Sequence, residues 1–267
     1  MEFLTIFLSS LLGIFTPAGL IVERTAEKAI RSQLTPEGEL LVRVDNAPTH
    51  GLLQGKVTKL RIAGRSLQLK KQDIRISLLE LETDEIVLNL RRFNQKRPQF
   101  QQPIQAGVRL VLTPEDVNKF LQSPTFTSRL QKFTSLGSGN NNLQSPGINL
   151  QHPKIIFSEN NRFEFQGELA QNNQQPLPIK ISSGLGIVRG RQLKLIEPVI
   201  FVGGQQVPSQ FVNLVVKNIN QRLDLGHLDA GGLTLRILKL EMQPKALEVA
   251  IFIRIEPTSQ FWETSDS

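Results

Sequence analysis

Four carboxylates fall within six residues at Glu80, Glu82, Asp84 and Glu85, and acids this close together are able to run general acid and base steps. Glu80 and Glu82, however, lie two apart in an alternating segment, so both fall on its polar face, where exposure to solvent accounts for them. The histidines, His50, His152 and His227, are far apart in sequence, and none stands in an H-x-x-x-H metal spacing. With no cysteine in 267 residues, a thiolate nucleophile, a Cys-ligated metal and a disulfide framework are all excluded. Neither a G-x-S-x-G elbow nor a phosphate loop ending in Gly-Lys-Ser/Thr occurs. Gly184, Gly186 and Gly190 give a bare G-x-G-x-x-x-G outline, but it lies between strands and opens no helix. The reading is a non-enzymatic chain with no cofactor and no metal.

Charge points elsewhere. Lys56, Lys59, Arg61, Arg65, Lys70, Lys71 and Arg75 crowd one region of a chain with net charge +7 and a pI near 9.9, which favours an anionic partner. No aromatic residue interleaves with this run, so lipid headgroups fit it better than single-stranded nucleic acid, and nucleic acid is set aside. Lys59, Arg61, Arg65, Lys70 and Arg75 are the candidate headgroup-binding residues, with a merely solvated basic face as the competing reading. Fifteen Phe beside one Trp and no Tyr suit an oily interior, because Phe adds apolar area without a polar handle.

The elements that must place these residues are mostly strands. Ile74, Ile76 and Leu78 alternate with polar neighbours, as do Ile86, Leu88 and Leu90, and most clearly Leu247, Val249, Ile251, Ile253 and Ile255. Further strands are expected over 40–44, 52–62, 107–112, 148–157, 163–169, 179–187, 193–202 and 233–242. Helices are few. One starts at Thr113 as N-cap with Pro114 at N1 and Glu115 and Asp116 in its first turn, and runs to about Leu121. A short one holds Phe126, Leu130 and Phe133, and a third begins after Pro208 with Val212, Val215, Val216, Ile219 and Leu223 as its stripe. Helices do not alternate regularly with strands, so the class is α+β, β-dominated, with a mainly antiparallel sheet. Such a sheet either packs a filled core or curls around a cavity.

Residues 3–22 carry no charge and are long enough to cross a bilayer core of about 30 Å. No basic residue precedes them and Pro17-Ala18-Gly19 is a poor cleavage site, which leaves signal, anchor and membrane-lying segment as open alternatives. An amphipathic helix follows, with Leu20, Ile21, Ala26, Ala29, Ile30 and Leu34 at helical spacing. The chain thus divides into an apolar segment 1–19, one domain over 20–256 with a flexible loop near 134–147, and a frayed tail at 257–267.

The stretches Leu41-Val42-Arg43-Val44-Asp45-Asn46-Ala47-Pro48, Leu52-Leu53-Gln54-Gly55-Lys56-Val57 and Leu60-Arg61-Ile62-Ala63-Gly64-Arg65 resemble the LmeA-like phospholipid-binding family. So does Leu79-Glu80-Leu81-Glu82-Thr83-Asp84. Members of the cyanobacterial kind are similar in Gln105-Ala106-Gly107-Val108-Arg109-Leu110-Val111-Leu112-Thr113 and in Gly232-Leu233-Thr234-Leu235-Arg236. The likeness spans roughly residues 20–255 and departs from secreted members in lacking a basic start. It implies a membrane-associated phospholipid-binding protein of the cell envelope or periplasmic side. It also implies a long curved sheet partly wrapping a helix around an apolar groove, as in tubular lipid-binding domains, and it brings no catalytic residues.

The expectation is therefore binding, and possible transfer, of an anionic membrane phospholipid at a membrane surface. Val215, Ile219, Leu235, Ile237, Ile251 and Ile253 are the expected groove residues, although core packing selects the same side chains. The rivals are a filled-core envelope scaffold that holds a protein partner, and a lipid hydrolase, which needs a convergent polar site.

Overall fold

A computed structural model describes residues 27–28, 30–32, 34–35, 38–45, 55–70, 74–88, 100–124, 126–127, 149–170 and 175–260. The segment 1–19, the loop at 134–147, His50 and residues 261–267 of the tail lie outside the described residues.

Alternation produces the expected class, with open, curved antiparallel sheets and few helices. The strands part into two main sheets. The first runs β1 (Glu39–Asp45), β3 (Lys59–Gln68), β4 (Arg75–Thr83), β6 (Ile104–Leu112), β13 (Ala246–Ile255) and β12 (Leu233–Gln243) in that spatial order. The second runs β11 (Gln205–Gln206), β10 (Gln192–Val202), β9 (Leu177–Val188), β8 (Arg162–Ala170) and β7 (Asn149–Ser158). A small ribbon pairs β2 (Lys56–Val57) with β5 (Ile86–Val87). The strand expected over 52–62 is broken after Val57, so that Lys56 and Val57 serve the ribbon while β3 joins the first sheet from Lys59.

One face of the first sheet is the core. Leu40 and Val42, Leu60 and Ile62, Leu79 and Leu81, Ala106 and Val108, Leu233 and Leu235, and Ile253 and Ile255 are all buried there. Ile30 and Leu34 join them; Glu27, Lys28 and residues 30–32 are helical, whereas Leu34 pairs with Leu69 in an isolated bridge, and Leu20, Ile21, Ala26 and Ala29 of the expected stripe lie outside the described residues. Burial then fades along β6, where Leu110 and Leu112 are half-buried, and along its partner β13, where Leu247, Val249 and Ile251 are too.

In the second sheet, register places Ile155, Phe165, Ile181 and Ile200 in one cross-strand row, and direct partners share a face. Of these only Ile200 is fully buried. The glycines Gly184 and Gly186 lie within β9, where a Cβ would come 3.2 Å and 2.7 Å from Ile196 of the bulged β10, so they make room for a side chain. Helix α1 (Pro114–Leu121) packs on β7 and β4, and α2 (Ser209–Arg222) on β10.

The two sheets meet at the free edge of β12. Unpaired edge amides and carbonyls are costly where water is excluded, and here turn residues of the second sheet satisfy them. Asn161, at φ 58° in the β7–β8 turn, accepts from the Met242 amide at 2.6 Å and donates to the Leu240 carbonyl at 3.4 Å. Gly190, at φ +66° in the β9–β10 turn, accepts from the Ile237 amide at 2.5 Å. A strand turns alternate residues outward, yet Ile237 and Met242 have opposite parity. The bulge at Leu238 supplies the extra residue that lets both face out. Replacing Asn161 with Gly keeps the left-handed turn and removes both bonds, so it is expected to cost about 1–3 kcal/mol. An unchanged urea midpoint for Asn161→Gly would show that the amide contributes nothing.

Candidate functional site

Where burial fades in the first sheet, an apolar pocket of about 220 Å³ opens against α1. Ile74 and Ile76 on and before β4, Leu110 and Leu112 on β6, and Val117 and Phe120 on α1 line it, with Arg75 and Asp116 at its polar boundary. The helix that forms its wall starts where the sequence says it should. The Thr113 hydroxyl accepts from the Asp116 amide at 3.2 Å while the Asp116 carboxylate accepts from the Thr113 amide at 3.0 Å, a reciprocal capping box with Pro at the start of the first turn. Phe120 meets Phe126 edge to face, ring centres 5.5 Å apart.

The far side of α1 is tied to the second sheet. Asn118 accepts from the Ile155 amide at 2.6 Å and donates to the Ile155 carbonyl at 2.9 Å, so its amide imitates a strand neighbour for β7, and Gln122 donates to the Pro153 carbonyl at 3.3 Å. These bonds fix the wall.

Asp116 is only 2% exposed at its side chain, and its second oxygen takes a 3.5 Å contact from Arg75 Nη1. Arg75 also donates to Ser66 Oγ at 3.1 Å and stays 44% exposed. A guanidinium held at the rim of an oily pocket, with part of its donor fork facing water, is suited to a phosphate or carboxylate whose apolar tail goes inward.

The other expected headgroup residues do not gather there. Lys59 and Arg61 point to the opposite face of the first sheet, where Lys59 bonds Glu82 at 2.5 Å and Arg61 bonds Glu82 at 2.9 Å and Asp45 at 3.1 Å. Arg65 lies exposed opposite Glu39, and Lys70 donates to the Ser32 carbonyl at 2.8 Å. Glu80, from the acidic run, bonds Arg109 at 2.9 Å.

The expected groove residues are also spread out. Leu235 and Ile253 belong to the filled core, Ile237 is buried beside them, Ile251 packs at the core margin, and of the two on α2, Ile219 is half-buried and Val215 is exposed. The pocket-lining residues on β6 and α1 were missed as a group. The signal that finds them is the adjacency of an apolar strand end, Leu110 and Leu112, to a capped helix carrying Val117 and Phe120.

Two larger depressions have charged walls. An open trough of about 610 Å³ crosses the outer face of the first sheet over Ala63, Gly107 and Ala250, between the Arg61 and Arg109 ion pairs. Another of about 660 Å³ lies over β8 and β9, with His152 facing Glu168 at 3.4 Å and Lys180 bonding Glu164 at 2.7 Å. Charged groups lose hydration against an acyl chain, which makes the small pocket the better apolar site. Among the described residues no cluster of His, Asp and Glu is arranged to hold a metal, and no helix is long and apolar enough to cross a membrane.

The sequence model of one family, described as LmeA-like phospholipid-binding, matches residues 16–252. No curated protein and no solved structure matches the chain.

The outer-face ion pairs have a measurable signature. Hydrogen bonds from Lys59 and then Arg61 hold the Glu82 carboxyl below its ordinary 4.5, and those from Arg109 and Lys239 do the same for Glu248. A carboxylate with a depressed folded pKa adds stability that is complete above its unfolded pKa and lost as pH falls through the folded one. Stability from these groups is therefore expected to be flat above about pH 4.5 and to decline below it. Thermal midpoints of a Glu82→Gln, Glu248→Gln variant should show a shallower acid-side decline than those of the parent chain.

Proposed function

Because the chain belongs to the LmeA-like phospholipid-binding family, we propose that it holds part of a phospholipid acyl chain in the pocket between β4, β6 and α1, with Arg75 at the anionic headgroup. The observation that carries this reading is the coincidence of an almost wholly apolar cleft and a partly exposed guanidinium at its rim. At about 220 Å³ the cleft is smaller than the roughly 300–1,000 Å³ of sites that engulf a whole ligand, so it suits a segment of one chain. Six methylenes buried there would contribute about 5 kcal/mol at roughly 0.8 kcal/mol each, without any specific polar contact. Arg75 adds the selectivity that acyl burial lacks.

Binding of this kind involves no covalent step, and the protein acts as a non-enzymatic carrier or holder at a membrane on the envelope side. The half-buried residues Leu247, Val249 and Ile251 beside Leu110 and Leu112 offer the path along which a longer chain extends toward the expected residue Ile251.

Lipid extracted from the purified protein, native mass spectrometry and uptake of fluorescent phospholipid test the reading directly. The parent chain is expected to carry or take up phospholipid. Val117→Trp, which fills the pocket, should abolish uptake. Arg75→Gln should keep uptake while weakening the preference for anionic over zwitterionic lipid by about tenfold, the equivalent of about 1.4 kcal/mol. A parent chain that neither carries nor takes up lipid would overturn the proposal and leave the scaffold reading.

A further inference from the structure

Helix α2 has two apolar stripes and needs only one for packing. Val212, Val216, Ile219 and Leu223 recur at intervals of four, three and four, and Val212 is the buried member of this stripe where the helix meets β10. Asn220, on the same side of the chain, accepts from the Leu195 amide at 3.2 Å and its carbonyl accepts from Gln192 at 3.2 Å, which fixes the helix on the sheet. The second stripe, Phe211, Leu214 and Val215, is 59%, 62% and 47% exposed. Three large apolar side chains at i, i+3 and i+4 form one continuous patch, and water gains nothing from them.

The charge around the patch identifies its occupant. The charged residues of α2 are Lys217 and Arg222, both cationic, and between residues 198 and 223 there is no Asp or Glu. Residues 198–223 thus carry two cations and no anion. Lys217 is exposed on the turn after Leu214. An exposed stripe of Phe, Leu and Val beside the exposed Lys217, on a helix free of anions, is the pattern of a helix lying in the interface of an anionic bilayer, its apolar side among the acyl boundary and its ammonium among the phosphates. A protein partner that covered the same stripe would need an acidic rim of its own to meet Lys217, whereas an anionic bilayer presents acyl and phosphate layers together.

We propose that α2 is the membrane-docking element of this protein, and that Phe211, Leu214 and Val215 insert into an anionic lipid surface. Val215 thereby changes role, from the groove residue that the sequence suggested to a contact with the bilayer. Docking rests on the phospholipid-binding reading for its purpose, since a pocket that exchanges lipid gains from being brought to the bilayer. The two are separable in experiment.

The natural absence of cysteine gives a clean probe. Leu214→Cys in the full chain, labelled with an environment-sensitive fluorophore, is mixed with vesicles of phosphatidylcholine and phosphatidylglycerol, and with vesicles of phosphatidylcholine alone. A blue shift with the anionic vesicles is expected, much weaker with the neutral ones. The same label at Leu41 or Leu238, both well exposed on the first sheet, should not shift. In vesicle sedimentation Phe211→Ser with Leu214→Ser should weaken binding by about tenfold or more, and Lys217→Glu, which leaves every apolar contact in place, should weaken it on anionic vesicles only. Circular dichroism confirms that each variant is folded, and uptake of a monomeric fluorescent phospholipid should be unchanged in all of them. Equal vesicle binding by parent, double-Ser and Lys217→Glu chains would overturn docking through α2 while leaving the pocket reading intact. A parent chain that forms a dimer lost on Phe211→Ser would assign the stripe to a second copy and overturn it as well.

Discussion

The arrangement of this protein depends on how the backbone edge of β12 is satisfied. An antiparallel sheet ends in a row of amides and carbonyls, and those of β12 are met by a turn asparagine and a turn glycine from the second sheet. Sheet-to-sheet contact is thereby specified by hydrogen-bond direction, which apolar packing alone does not provide. Asn118 repeats the device on β7 and Asn220 on β10, so three asparagine side chains stand in for missing strand neighbours. Asn161 and Asn118 each present a donor and an acceptor at nearly the spacing of a peptide group, which no carboxylate or hydroxyl does, and Asn220 accepts through its side-chain oxygen. These closures also leave β12 and β7 poor templates for a foreign strand, even though the chain carries exposed apolar surface.

A division of labour between faces follows. On the first sheet the inner face is oily and the outer face is a lattice of ion pairs, from Asp45 and Lys59 through Glu82 and Arg61, and from Glu80 and Arg109 to Glu248 and Lys239. Two members of the basic run, Lys59 and Arg61, are neutralised within this lattice. Net positive charge alone is thus a poor guide to the apolar surface, and Arg75 and Lys217 are cations that stand at its border.

Local pattern made much of the fold legible. Period-two alternation located the principal strands, since it reports directly on a sheet with one wet face, and Thr113, Pro114 and Asp116 marked the start of α1 to the residue. Long-range pairing was not legible. That Lys59 and Arg61 meet Glu82 depends on β3 lying beside β4, and that Leu235 and Ile253 lie in a filled core depends on which residues cover the sheet. In α2 the difficulty is different. Val212 and Val215 look alike in sequence, and only the position of β10 decides which of two adjacent stripes is inside. The break between β2 and β3 and the bulge at Leu238 are likewise set by partner strands, and leave no local signature.

Asp116 completes the capping box of α1 and also steadies Arg75. One buried carboxylate therefore starts the helix that walls the pocket and orients the cation at the pocket's rim. Fraying of that first turn would dismantle the hydrophobic wall and the placement of Arg75 together, so any occupancy of the pocket would be thermodynamically linked to local folding. Free energy from any ligand held in the cleft would reappear as protection of the α1 amides, and its supply would then control how often this corner of the protein opens.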